Sequence, residues 1–216
     1  MRLRRLPTAL PMFAPNSKIL VVNGVKIPID PDFRIMCEYS AAVLRRRTEG
    51  LTDIVSRFYF AGLPEGIDAA EAAEAMDDFY VNGLAAAKDN STIGSNTPVP
   101  CFDFEEDEGY FYAAFMGAYN IDLRTAKLHW LDFCALFKGL PDDCRLRQII
   151  GIRAQSLGEI KSGTERRRIS KLKSIYGLKV KVKRRFEAVA DRNAAIAANL
   201  KRRAEEAEKK MREVRK

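Results

Sequence analysis

His129 is the only histidine of the chain and stands beside the only tryptophan, Trp130. An imidazole can act as a general base or a metal ligand, but base catalysis needs a nucleophile and an orienting group, and a metal site needs further ligands. No second histidine exists, and no serine or cysteine sits in a recognisable nucleophile elbow. The four cysteines, Cys37, Cys101, Cys134 and Cys144, show no CxxC spacing and read as reduced thiols of a cytosolic protein. Glu105, Glu106, Asp107 and Glu108 place four carboxylates in a row, yet the glycine and oxygen spacing of an EF-hand loop is missing. Consecutive carboxylates on a helix point in different directions, so their expected work is to offset the positive end of a helix dipole. A glycine-rich phosphate loop is absent too. The chain is therefore expected to be no enzyme, with no catalytic residue, no metal site and no cofactor.

The second chemistry on offer is electrostatic. Arg166, Arg167, Arg168, Lys171 and Lys173, followed by Lys179, Lys181, Lys183, Arg184 and Arg185, would neutralise phosphates and give salt-sensitive binding. No nucleic-acid recognition motif accompanies them, and the rings that would stack on bases lie elsewhere, in an acidic region. A partner-binding or self-associating helix is the favoured reading, with nucleic acid as the alternative. The charge is very uneven: residues 1–163 carry 18 Lys and Arg against 22 Asp and Glu, or −4, whereas residues 164–216 carry 19 against 7, or +12. The overall +8 describes a mildly acidic body with a basic tail.

These groups have to be positioned by a fold whose centre is legible from its rings. Ten of the twenty aromatic side chains fall between Phe102 and Phe137. Trp130, Phe133 and Phe137 are three and four apart, the stripe of a buried helix, and any exposed part of that stripe would be a dock for a client segment. Arg153, polar beside an apolar run, is expected to pair with the acidic segment at 105–108.

Ile19 to Ile29 contains two β-rich runs joined by Asn23-Gly24, the dipeptide suited to a type I′ turn, and predicts a β-hairpin whose second strand ends near Pro28. Two strands alone are marginal, so the hairpin is expected to pack on helices. Asp30-Pro31 reads as a helix N-cap followed by proline at the first position, opening a helix to about Arg47. Further helices are expected at 52–60, 68–87 and from Asp103 to about Asn120. Asp122 resembles the N-cap of the next, which carries the Trp130 stripe to Gly139, and two more run from about Asp142 to Ile150 and from Thr164 onward, with Gly177 as a break.

From Lys183 to the end, Phe186, Val189, Ile196, Leu200 and Met211 repeat at helical intervals and predict a long helix with a narrow seam. Alanine fills much of that seam and buries little surface, so the helix needs a partner. The proline-interrupted residues 1–17 read as a disordered leader, with Met12 as an alternative start, and the polar run at 88–100 as a mobile loop. No stretch reaches the roughly 18 apolar residues of a membrane span. The expected fold is mainly α, a helical domain over 18–178 with a small N-terminal β-hairpin, followed by a long basic C-terminal helix at 179–216.

A set of motifs in fixed order carries a family resemblance. They are Asn23-Gly24-x-x-x-Pro28-Ile29 with Asp32-Phe33-Arg34; Phe102-Asp103-Phe104-Glu105-x-Asp107; and Tyr110-x-Tyr112-Ala113-Ala114-Phe115. After them come Tyr119-Asn120-Ile121-Asp122-Leu123, then Leu128-His129-Trp130-x-x-Phe133-x-Ala135-Leu136, Gly139-Leu140-Pro141, Ile149-Ile150-Gly151-Ile152-Arg153 and Lys171-Leu172-Lys173. In this order the chain resembles the phage gene-product-fifteen family of tail-region proteins, over about three quarters of its length; the leader and the long basic helix depart from the pattern. The resemblance implies a non-enzymatic phage tail assembly protein in the bacterial host cytoplasm, a chaperone that oligomerises on or coats the tape-measure protein. A structural tail subunit is a further alternative. The residues expected to meet a partner are Trp130, Phe133, Phe137, Arg153, Arg166, Arg167, Lys171, Lys183, Arg184 and Arg185.

Overall fold

In a computed structural model, residues 16–45, 47, 50–86 and 101–179 are described. The leader before Asn16, the loop at 88–100 and the basic helical extension after Lys179 lie outside the described residues. Within them the protein is mainly helical, with seven helices and one two-stranded antiparallel hairpin. None of the helices is long and apolar enough to cross a membrane.

Strands β1 (Ile19–Val22) and β2 (Val25–Pro28) pair in the register Val22↔Val25 to Ile19↔Pro28. Asn23 and Gly24 both have positive φ, 49° and 81°, the turn conformation that an Asn-Gly pair supplies at least cost. The hairpin turns Val22 and Ile27 inward and leaves Ile19 and Val21 exposed. Asn23 donates to Glu71 at 2.7 Å, tying the turn to α3 (Ala69–Ala86).

Helix α1 spans Phe33–Leu44 and is capped by Asp32, whose carboxylate accepts from the Arg34 amide at 2.9 Å. The Asp30-Pro31 start expected from the sequence is thus displaced by two residues. Asp30 takes its amide hydrogen bond to the Phe58 carbonyl, and the Pro31 carbonyl accepts from the Trp130 amide at 2.8 Å. An isolated bridge between Asp32 and His129 holds the chain extended there. Helix α2 follows at Leu51–Phe58 and packs on α1.

Helix α4 runs over Glu108–Tyr119, five residues shorter at its start than the acidic run predicts, because residues 104–107 form a turn built around two buried carboxylates. Asp122 caps only the turn at 123–125; α5 begins at Trp130 and ends at Lys138. Its N-cap is His129, with Nδ1 accepting from the Leu131 amide at 3.1 Å. Helix α6 spans Arg145–Ala154 and buries Leu146, Ile149 and Ile150. Helix α7, Gly163–Tyr176, is capped by Ser162 and packs on α6, burying only Ile169.

Phe133 is the hub of the core. Its ring stacks on Phe33 at 4.8 Å, on Phe115 at 4.9 Å and on Trp130 at 5.7 Å between centroids. Trp130 donates its indole hydrogen to the Tyr80 carbonyl of α3 at 3.2 Å, so the largest ring of the core has its polar atom satisfied. Gly83, one turn further along α3, leaves the space that this indole occupies: a Cβ there would sit 2.2 Å from Trp130 Nε1.

Candidate docking cleft

Among the described residues, the core is not closed over between α1 and the start of α4. A cleft of about 480 Å³ opens there, within the size range of ligand and side-chain pockets. Its floor is apolar: Phe33, Phe104, Phe111 and Phe133, with Ala42 and Ile54 beside them, all buried. Its rim carries Glu38, Glu105 and Glu108 and the guanidinium groups of Arg34, Arg47 and Arg124.

The sequence explains this shape. Small residues, Ala41 and Ala42, occupy the face of α1 opposite the rings, so the helix approaches without filling the gap. Most rim charges are already engaged. Arg34 binds the Asp32 carboxylate at 3.1 Å and donates to the Arg124 and Ala126 carbonyls. Arg47 forks onto Glu105 at 3.1 and 3.2 Å, Glu38 pairs with Arg57, and Arg124 lies 4.4 Å over the Tyr112 ring. Glu108 makes no ion pair among the described residues. Cys37 stands on the wall of the cleft, half-buried; burial, then the neighbouring Cys134, Asp32 and Glu38, pushes its thiol well above the ordinary value.

One wall of the cleft is the turn at 103–107, which two arginines hold from opposite sides. Arg45 at the end of α1 grips Asp103 through both guanidinium nitrogens at 2.7 and 2.9 Å. Arg153 of α6 grips Asp107 in the same way at 2.6 and 2.9 Å. Both aspartates are 1 % exposed. Burial by itself would raise the Asp103 carboxyl; the Arg45 guanidinium and the Glu105 and Glu106 amides outweigh it and hold the group below the usual carboxylate range. Arg153 donates further to the carbonyls of Cys101 and Tyr176, and Lys173 caps the Arg153 carbonyl, so α7 is fastened to the same turn. Beyond α7 the Lys179 amide donates to the Glu106 carboxylate at 2.9 Å.

Of the residues expected to meet a partner, Trp130, Phe133 and Phe137 are in the core, at 0, 1 and 6 % exposure, and only Phe133 contributes to the cleft floor. Arg153 faces inward onto Asp107. Arg166, Arg167 and Lys171 lie exposed on α7, away from the cleft; Lys183, Arg184 and Arg185 lie outside the described residues. The acidic run divides in two. Asp107 is buried, contrary to a purely solvating and dipole-offsetting role for all four carboxylates, because the turn aims it at Arg153, whereas Glu105 and Glu108 reach the rim. Sequence reasoning missed the cleft itself, and with it Phe33, Cys37, Arg34 and Arg45. The available signal was the pair Ala41-Ala42 on a helix otherwise lined with large side chains.

Residues 66–178, just over half of the chain, match the family model described as Bacteriophage Gp15 protein. The matched span covers α3 to α7 and leaves out the hairpin, α1 and α2. No curated protein and no solved structure matches the chain.

Proposed function

The chain belongs to the bacteriophage Gp15 protein family, and from that premise we propose that this phage structural or assembly-related protein is a non-enzymatic tail assembly chaperone. It oligomerises on or coats the tape-measure protein during tail morphogenesis in the host cytoplasm. The family match is the observation that carries the reading. The cleft supports it physically, because an apolar floor with a mixed-charge rim suits the side chains of an amphipathic helix, and a tape-measure client offers many of those. Several weak contacts repeated along such a client give avidity without any tight single site.

The test is co-expression with the tape-measure protein of the same genome, followed by mass spectrometry of purified virions. A client kept in solution by a protein absent from the particles is the expected result. Its presence in stoichiometric amount would make it a structural tail subunit. No effect on the client would overturn both and leave nucleic-acid binding through the basic residues, whose mark is affinity that collapses between low and moderate salt.

A further inference from the structure

Helices α3 and α7 carry equal and opposite charge. Glu71, Glu74, Asp77 and Asp78 give α3 a net −4 with no lysine or arginine, whereas Arg166, Arg167, Arg168, Lys171 and Lys173 against Glu165 give α7 a net +4. Part of this charge is engaged within the chain. Glu71 accepts from Asn23 and from the Asp68 amide, and Asp77 accepts from the Tyr39 hydroxyl. Arg168 pairs with Glu165, while Arg166 holds the Ile160 carbonyl and Lys173 the Arg153 carbonyl. Glu74, Asp78, Arg167 and Lys171 are exposed and enter no ion pair among the described residues.

These four residues are arranged alike on the two helices. Glu74, Asp78 and the exposed Val81 fall at i, i+4 and i+7, on the side of α3 away from the buried Ala72, Met76 and Tyr80. Arg167, Lys171 and the exposed Ile175 fall at i, i+4 and i+8, on the side of α7 away from the buried Ile169. The helical rise sets each like-charged pair about 6 Å apart along its axis. Laid in parallel, the two stripes bring Glu74 to Arg167, Asp78 to Lys171 and Val81 to Ile175; laid antiparallel, the charges still meet but the apolar residues part. No ion pair joins α3 to α7 within one copy among the described residues, and each helix is fastened elsewhere, α3 to α5 and β1 and α7 to α6. We propose that the acidic stripe of α3 docks in parallel on the basic stripe of α7 in a second copy of this chain. The two surfaces differ, so the contact is head-to-tail and copies add into a ring or a filament. Exposed ion pairs are weak one at a time, which suits an assembly that must come apart. The inference rests on the reading of the protein as one that oligomerises and names the surface that does so.

Sedimentation velocity of the full chain, with no client present, tests the contact, so its failure is separable from a failure of client binding. The wild-type chain is expected to assemble as its concentration rises at about 50 mM salt and to dissociate at about 0.5 M. Glu74→Lys/Asp78→Lys sets like charges against α7, and Arg167→Glu/Lys171→Glu sets them against α3. Each double variant alone is expected to self-associate at least about tenfold more weakly than the wild-type chain. An equimolar mixture of the two is expected to assemble again, because every contact between unlike copies then joins opposite charges; a variant that merely failed to fold would not be rescued. A wild-type chain that stays monomeric, or a mixture that does, would overturn the proposal. Assembly lost in Glu74→Lys/Asp78→Lys but kept in Arg167→Glu/Lys171→Glu would overturn it as well, by making basic residues outside α7 the ones that meet α3.

Discussion

Arg153 and Asp107, 46 residues apart in sequence, form a bidentate ion pair that is almost wholly buried, with side-chain exposures of 9 and 1 %. It joins α6 to the turn that shapes the cleft, and the remaining donors of Arg153 hold carbonyls at Cys101 and Tyr176. Arg153→Ala leaves a buried carboxylate without its cation and is expected to cost about 3–5 kcal/mol in urea unfolding. Arg153→Lys retains the charge but not the fork, and is expected to recover only part of that loss. Full stability in Arg153→Lys would mean that charge alone, and not planar geometry, fixes the turn.

The partner pair on the other side of the turn gives stability a pH dependence. Asp103 is held below the usual carboxylate range, so the folded state binds its proton less readily than the unfolded chain does. The contribution of this group is therefore complete above about pH 4, the range of an unperturbed aspartate, and is lost as pH falls through the lower folded value. Asp103→Asn is expected to flatten the acid limb of a plot of unfolding free energy against pH, at the cost of lower stability near neutrality. An acid limb of unchanged slope would move the source of the effect to other carboxylates.

Much of the fold was legible because it rests on local signals. Asn23-Gly24 set the hairpin through its positive φ angles, and Trp130, Phe133 and Phe137 set a buried helix through their spacing. What the sequence concealed was contact between distant segments. Asp30-Pro31 has the chemistry of a helix start, but the Pro31 carbonyl is claimed by the Trp130 amide, 99 residues on. Asp103 and Asp107 are ordinary surface residues until Arg45 and Arg153 meet them from opposite sides. Among the described residues the cleft is a gap between α1 and α4, and no periodicity encodes a gap.

Gly83 of α3 and Gly117 of α4 are expected to respond in opposite ways to an added methyl. At Gly83 an added methyl meets the Trp130 ring at 2.2 Å, so Gly83→Ala forces the indole or the helix aside and is expected to cost at least about 1–3 kcal/mol, with a shift in tryptophan emission. Gly117 lies exposed within α4 with nothing within 4 Å of its Cβ position. Gly117→Ala is expected to stabilise by about 0.5–1 kcal/mol through helix propensity alone, with emission unchanged. Thermal unfolding of the two variants checks both signs, and a stabilised Gly83→Ala would show that α3 does not press on Trp130.

His129, to which the sequence assigned no chemistry, caps α5. Its Nδ1 accepts from the Leu131 amide, and its Nε2 lies 3.1 Å from the Ser17 carbonyl, joining the start of α5 to the segment that precedes the hairpin. The first of these contacts needs only a short side-chain acceptor, which asparagine also offers, so His129→Asn is expected to fall within a few tenths of a kcal/mol of the wild-type chain. His129→Ala removes the acceptor and is expected to cost about 1 kcal/mol. The adjacent Trp130, the only tryptophan, reports the change directly. If His129→Asn were as damaging as His129→Ala, the contact through Nε2 to Ser17, and not the cap, would be what the imidazole contributes.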